Sequence, residues 1–332
     1  MRALILAPYT PPELERLSRT ADVVHESWLD SGRLHDPDEL GARIAREDFS
    51  ILVVEADFVF EEVFAAAPGL RLVAVCRNAL NQVDLDAATQ HGVAVTHAPG
   101  RNTNAVAELA VGLMFALARH IPQADRMVLG RGWRDPSAGY RAFRGREIAG
   151  ATVGVVGFGQ IGREVARKCL ALGARVLAYD PLVPSRQLES LGVTPSALPQ
   201  LAARCDFLTL HVPDAEATYR MIDRTILSEV SPRGYLINTG AGGAVDAEAL
   251  VEALESGRLA GAALDVFEGQ PLPLSSPLLR APNLILTPHI GGATDESVER
   301  HSRMITGEIE RFAAGKPLLH GVNDVSGVAR VG

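Results

Sequence analysis

The glycines of Val153-Gly154-Val155-Val156-Gly157-Phe158-Gly159-Gln160-Ile161-Gly162 have the spacing of a turn that cradles a pyrophosphate. In such a turn Gly157 permits the tight bend, Gly159 lets backbone approach the phosphates, and Gly162 lets the following helix lie against its strand. The apolar run before the glycines reads as a buried strand. After them Ile161, Val165, Cys169 and Leu172 recur at near-helical spacing until Gly173 stops the helix. The helix N-terminus then offers free N–H groups and its positive dipole end to an anion. A second β run, Ala174 to Tyr179, ends at Asp180, whose carboxylate can accept hydrogen bonds from ribose hydroxyls. Taken alone, Asp180 also reads as a turn residue ahead of Pro181. It would repel a 2′-phosphate, and the next base, Arg186, lies beyond two prolines, so NAD is expected rather than NADP.

The elements that hold this turn follow from composition. A chain of 332 residues has room for two α/β domains, and 47% hydrophobic with only 5% aromatic residues suits parallel sheets covered by helices. A net charge of −8 argues against nucleic acid or an anionic membrane surface as the partner, which leaves a small-molecule substrate. Cys76, Cys169 and Cys205 form no C-x-x-C pair and no zinc spacing, so no metal site is expected. All three sit in apolar runs, which predicts buried, reduced thiols and a cytoplasmic protein. The start Met1-Arg2-Ala3-Leu4-Ile5-Leu6 is too short for a signal peptide. The longest apolar run, Ala105 to Ala118, contains Glu108, is too short for a bilayer, and predicts a buried helix.

Residues 2 to 100 alternate short β runs (Leu4 to Leu6, Val23 and Val24, Ile51 to Val54, Leu72 to Val75, Val93 to Val95) with helical patterns such as Pro12 to Arg19 and Pro37 to Arg46. That alternation predicts a doubly wound parallel sheet. It lacks a phosphate-binding glycine motif, so this unit is expected to carry substrate. The turn cluster from Ala98 to Asn104 reads as a hinge, and Pro122 to Gly150, with little periodicity, as an irregular arm packing on a partner subunit or overhanging a cleft. Further strands are predicted at Phe207 to His211, Tyr235 to Thr239, Ala262 to Val266 and Leu284 to Thr287, each ending in polar residues where open α/β sheets bind ligands. A last helix, Asp295 to about Phe312, is long enough to return to the first domain. The domains expected are therefore 1–100 with 290–332, and 101–289.

These motifs together resemble the NAD-dependent D-2-hydroxyacid dehydrogenase family, the relatives of D-3-phosphoglycerate dehydrogenase. The resemblance runs from about Val83 to Asn323. It is carried by Val83-Asp84-Leu85-Asp86-Ala87-Ala88, Ala105-Val106-Ala107-Glu108, the glycine turn with Tyr179-Asp180-Pro181, Asn238 through Asp246, Gly261-Ala262-Ala263-Leu264-Asp265-Val266-Phe267 and Thr287-Pro288-His289-Ile290-Gly291-Gly292. It implies two Rossmann-like domains with a cleft between them, and a homodimer. It also implies that Gly157, Gly159, Gln160, Ile161, Gly162 and Asp180 hold NAD, with His211, Val212, Pro213 and Thr218 along the cofactor. Thr239, Gly240, Ala241 and Asp265 would lie by the nicotinamide carboxamide, near His289 and Gly291. His211 reads equally well as the capped end of a strand.

The family's chemistry rests on an Arg that grips the carboxylate, a His that carries the proton and a Glu that orients and charges the His. His289 stands in its motif, but the Arg position is Ala241 and the Glu position is Gln270. Loss of a bidentate guanidinium removes two charge-assisted bonds of roughly 1.5–3 kcal/mol each, on the order of a hundredfold to ten-thousandfold in rate. Gln270 keeps a hydrogen bond to the imidazole without the charge. The loop Cys76 to Asp84 also departs, presenting Arg77, Asn78, Ala79 and Asn81 where the family commonly has a glycine-bearing nest. Arg77 and Arg101, with Tyr140 on the arm, are the candidate substrate contacts. Three readings follow. One is an NAD-dependent oxidoreductase acting on a non-standard hydroxy or oxo compound, with His289 as acid–base; a variant of it holds NAD tightly and oxidises only transiently. Another is a conventional 2-oxo acid reductase with its cation relocated, and the last a non-catalytic NAD(H) sensor or scaffold.

Overall fold

The structure, a computed structural model, describes residues 1–325. It contains two compact units, Met1–Asn102 together with the chain from Ala293 onward, and Thr103–Gly292. The final stretch of the expected first domain, 326–332, lies outside the described residues.

In the first unit β1 (Arg2–Ile5), β2 (Asp22–His25), β3 (Ile51–Val54), β4 (Leu72–Val75) and β5 (Ala94–His97) form a parallel sheet in the order β2-β1-β3-β4-β5. Strands β3 and β4 are apolar at every position because both faces are covered, and an apolar cluster lies on each side of the sheet. The C-terminal helix Asp295–Ala313 belongs to this unit. Its inward face mixes Ile305 and Ile309 with Ser297, His301, Ser302 and Thr306. That polar face is matched. The Tyr9 hydroxyl donates to the Ser302 carbonyl at 2.9 Å and bonds the Thr306 hydroxyl at 2.8 Å, while Arg16 pairs with Glu310.

The second unit contains β6 (Thr152–Val156), β7 (Arg175–Tyr179), β8 (Thr194–Pro195), β9 (Phe207–Leu210), β10 (Tyr235–Asn238), β11 (Gly261–Leu264) and β12 (Leu284–Leu286). They form a parallel sheet in the order β12-β11-β10-β9-β6-β7-β8, so the winding reverses beside β6 and opens a ligand crevice at its carboxyl end. Both sheets are doubly wound, as the strand–helix alternation predicts. The predicted strands overran by one or two residues, so that His211, Thr239, Asp265 and Thr287 stand just past their strands instead of within them.

The arm differs from the sequence expectation. Instead of irregular chain it contains the helices Ile121–Leu129 and Pro136–Ala142. Pro122 stands in the first turn of one; the Asp135 carboxylate accepts from the Ser137 N–H at 2.9 Å to cap the other. A proline starts the first and a cap the second, and neither helix buries a residue, so no core stripe marks them in the sequence. The helix Thr103–Ala118 buries Ala107, Ala110, Met114 and Leu117 in the unit's core. Among the described residues no single helix is long and apolar enough to cross a membrane. The three cysteines are buried and unbridged, and burial pushes the Cys169 and Cys205 thiols up to about 12, which makes them unreactive.

Two buried histidines make stability pH-dependent. Burial lowers His211 from 6.5 to about 3 and His301 from 6.5 to about 4. The unfolded imidazoles protonate near pH 6.5, so unfolding takes up protons between that pH and the folded values. Native stability should therefore be fully present above about pH 6.5 and fall on acidification, by up to about 1.4 kcal/mol per pH unit for each histidine. Urea unfolding between pH 7 and 4.5 checks this: His211→Gln should shallow the pH slope by up to one proton, and an unchanged slope would contradict the assignment.

Candidate active site

The glycine turn has the geometry its spacing predicts. Gly157 adopts φ +86°, and a Cβ there would come within 2.7 Å of the His211 carbonyl oxygen. A Cβ on Gly162 would lie 2.0 Å from the Gly157 carbonyl, so only glycine lets the helix Gln160–Ala171 start so close to its strand. Gly159 is different. Nothing lies within 4 Å of where its Cβ would be, and no side chain caps the helix it begins. Open backbone at a helix start, facing the switch point of the sheet, fits the pyrophosphate of a dinucleotide. Asp180 holds this turn from the end of β7: its two oxygens accept from the Phe158 N–H at 2.7 Å and the Leu182 N–H at 2.8 Å. A cavity of about 340 Å³ borders Asp180 on its β8 side, and none of Gly157, Gly159 and Gly162 lines it. Gln160 accepts from the Thr103 hydroxyl at 3.3 Å, and Ile161 is half-buried.

Beyond β9 and β10 the chain is fixed by side chains that satisfy the strand ends. The His211 ring bonds the Thr209 hydroxyl through Nε2 (3.0 Å) and the Thr239 hydroxyl through Nδ1 (3.3 Å), so both nitrogens are engaged within the sheet edge. Its ring caps the strand end; Val212 after it is buried in the core and Pro213 is exposed. Thr218 closes their turn by donating to the Pro213 carbonyl at 2.7 Å. A Cβ on Gly240 would come within 3.0 Å of Val212 backbone. Asn238 pins the same turn, donating from Nδ2 to the Ala241 carbonyl (2.8 Å) and accepting at Oδ1 from the Gly240 N–H (3.1 Å). Ala241 is only 4% exposed and belongs to an apolar cluster with Ala244, Val245 and Leu250.

The most connected group is Asp265, 1% exposed at the end of β11. Its Oδ1 accepts from the Thr287 hydroxyl (2.5 Å) and the Ile290 N–H (2.9 Å), and its Oδ2 from the Gly291 N–H (2.8 Å). These bonds grip the loop on both sides of His289, which sits at φ +55°, a conformation a non-glycine residue adopts only when its surroundings impose it. His289 Nδ1 then meets Gln270 Oε1 at 2.7 Å. Glu268 does not take Gln270's place, because its carboxylate accepts from the Tyr219 hydroxyl at 2.8 Å and lies 3.8 Å from Arg220. The positioning roles of Asn238 and Thr287 were not assigned from sequence. The available signal was a polar residue closing an apolar strand, which a buried chain retains only when it is hydrogen-bonded.

The residues expected to meet substrate fall differently. Arg101 is buried, ion-paired to Glu55 at 2.6 Å and bonded to His301 at 2.8 Å, so it is part of the first unit's interior and not a loop arginine awaiting a ligand. Arg77 follows β4 and is partly buried, with no acidic group within ion-pair distance among the described residues. Burial lowers its pKa, and the Arg101 charge adds to that. Asn78 and Ala79 are exposed beside it, the Asn78 carbonyl bonding His97 at 2.9 Å. Tyr140 is on the arm, 73% exposed, with Arg144 over its ring.

Residues 111–291, more than half of the chain, match the sequence pattern of the D-isomer specific 2-hydroxyacid dehydrogenase NAD binding domain. The chain belongs to the D-isomer-specific 2-hydroxyacid dehydrogenase family. It is 38% identical to D-3-phosphoglycerate dehydrogenase of Mycobacterium tuberculosis over 97% of its own length and 58% of that protein. It thus spans little more than half of that curated relative. Glyoxylate reductase of Thermofilum pendens is also 38% identical, over 88% of this chain and 86% of that one. A crystal structure from Thermus thermophilus superposes with a TM-score of 0.83 at 32% identity, covering 97% of this chain and 100% of the other. The Thr103–Gly292 unit of this family member is therefore an NAD-binding domain.

Asp265→Asn tests the grip on the His289 loop. An amide must turn an N–H toward one of the three donors, a loss on the order of 2–4 kcal/mol. We expect an unfolding midpoint lower by roughly 5–15 °C and NADH affinity within threefold of the natural protein. An NADH affinity reduced more than tenfold with an unchanged midpoint would instead assign the carboxylate to the carboxamide, as the family resemblance implies.

Proposed function

We propose that the chain is an NAD-dependent oxidoreductase acting on the CH–OH group of a small hydroxy compound, or on its C=O counterpart, with His289 as the acid–base group. The observation that carries this reading is the hydrogen bond between His289 and Gln270, held by a loop anchored to Asp265 in the same unit as the open glycine turn. A scaffold that had lost its chemistry would have no use for a histidine held in a strained backbone conformation. That argues against a non-catalytic sensor.

Gly157, Gly159, Gln160, Ile161 and Gly162 would hold the pyrophosphate and Asp180 the ribose, with Val212, Pro213, Thr218, Thr239, Gly240 and Gly291 along the rest of the cofactor. NAD supplies the two-electron acceptor or donor when bound. The chain's own residues would orient the substrate and move its hydroxyl proton at His289. At position 241 a buried alanine offers no cation, so the substrate is not gripped there through an arginine. Hydroxyl-bearing substrates suit the amides of Asn78 and Asn81.

One observation favours a second reading. Arg77 is a partly buried guanidinium with no acidic group within ion-pair distance among the described residues, and a desolvated cation of this kind gains most from a carboxylate. In that reading the chain is a 2-oxo acid reductase whose anchor has moved from position 241 to 77. A homodimer through the arm fits either reading, with Leu129, Trp133 and Tyr140 exposed along it.

NADH absorbance with a panel of 2-oxo acids, and NAD reduction with hydroxy acids and polyols, separates the readings. If Arg77 is the anchor, Arg77→Met lowers kcat/KM for the acids by on the order of 10²–10⁴. If it is not, the natural protein turns over polyols, the same variant retains that activity within a few-fold, and the Ala241→Arg, Gln270→Glu double variant gains 2-oxo acid reduction. No NAD-linked turnover from any panel member by a protein that binds NADH would contradict both.

A further inference from the structure

Two kinds of contact hold the turn that carries Gln270. A Cβ on Gly242 would lie 2.0 Å from the Phe267 carbonyl oxygen, so backbone meets backbone where the chain leaves β11. Past Phe267 the packing is incomplete: a cavity of about 260 Å³ borders Glu268, Gly269 and Leu272. Chain beside a void lacks contacts on that side, and polar bonds count for more in setting its position. Glu268 makes such a bond. Its Oε1 accepts from the Tyr219 hydroxyl at 2.8 Å, and Arg220 lies 3.8 Å from its Oε2. The bond to Glu268 raises the Tyr219 phenol above its ordinary 10, so the phenol keeps its proton at neutral pH and is the donor.

Tyr219 is itself fixed from the other direction. The segment it opens is laced to the turn after β10: the Arg220 N–H donates to the Gly243 carbonyl at 2.7 Å, the Ile222 N–H to the Ala244 carbonyl at 3.0 Å, and the Asp246 N–H to the Ile222 carbonyl at 3.1 Å. Arg220 takes φ +48°, a left-handed backbone that a non-glycine residue adopts under constraint. A Cβ on Gly243 would come within 3.2 Å of the Tyr219 ring, so the ring rests on bare backbone and its hydroxyl is aimed. Just before Tyr219, Thr218 closes the exposed loop after β9, accepting from the Ala215 N–H at 3.2 Å and donating to the Pro213 carbonyl. A ligand laid along Pro213 and Thr218 therefore acts on the residue next to Tyr219.

We propose that Tyr219 is a positioning residue that couples cofactor binding to the turn carrying Gln270. Cofactor along Pro213 and Thr218 steadies Tyr219, and the bond to Glu268 passes that constraint to residues 268–272. Gln270 is thus set in place when the cofactor binds, ahead of substrate. This rests on the reading of Pro213 and Thr218 as cofactor contacts. The coupling is reciprocal: the factor by which cofactor closes the turn is the factor by which a closed turn favours cofactor. For one hydrogen bond that factor is on the order of three- to tenfold.

Amide hydrogen exchange of the full chain, with and without saturating NADH, tests this. The quantity read is the ratio of exchange rates in the two conditions at the Glu268, Gly269, Gln270 and Leu272 amides, with the amides of 159–161 reporting NADH occupancy. The ratio should be about three to ten in the natural protein and close to one in Tyr219→Phe and in Glu268→Ala. Glu268→Gln should restore it, because its amide oxygen still accepts from the phenol. A bond that is merely structural would speed exchange equally with and without NADH; a Tyr219→Phe ratio equal to the natural one overturns the proposal. A Glu268→Gln ratio as low as that of Glu268→Ala also overturns it. Protection by NADH at 159–161 but not at 268–272 in the natural protein overturns the coupling and leaves the cofactor reading standing. Protection at neither overturns both.

Discussion

A single buried carboxylate holds the candidate site together. Asp265 ends β11 in a nearly water-free position and takes three hydrogen bonds, all from the loop after β12. A buried charge is tolerated only where donors satisfy it, so the loop is held as firmly as the carboxylate needs its partners. The consequence is felt one residue away. His289, between the gripped Thr287 and Ile290, is kept at a positive φ that it would not choose alone. Its ring thereby reaches Gln270.

The departures from the family pattern read differently once placed in the fold. Ala241 is not a cavity left by a lost arginine but a buried residue of the apolar cluster, in a turn pinned by Asn238. Gln270 bonds the His289 imidazole through its amide oxygen and brings no charge to it. Of the two arginines expected near substrate, Arg101 is neutralised by Glu55 inside the first unit, whereas Arg77 stands partly buried with no acidic group within ion-pair distance among the described residues.

How much of this was legible in the sequence depends on how local the cause is. The glycine turn, both parallel sheets and the helix that rejoins the first unit follow from periodicity and spacing, signals that operate over a few residues. The ends of strands were less legible, because where β9 stops before His211 is decided by threonines that reach it from β9 and from beyond β10. The arm helices were missed because caps and prolines start them and no buried stripe marks them. Asp265 could be singled out by its motif, but its three donors lie more than twenty residues along the chain, and no spacing rule connects them. The same holds for Arg101, whose partner Glu55 follows a different strand.

The central claim, that His289 carries the proton at an NAD site, is tested most directly by measuring NADH binding and NAD-linked turnover together in His289→Gln. The amide keeps the size of the ring's polar edge but cannot shuttle a proton at neutral pH. The account predicts NADH affinity within threefold of the natural protein and turnover lower by on the order of 10²–10⁴, the range of a positioned acid–base group. Turnover within a few-fold of the natural protein would contradict it, because some other group would then be moving the proton.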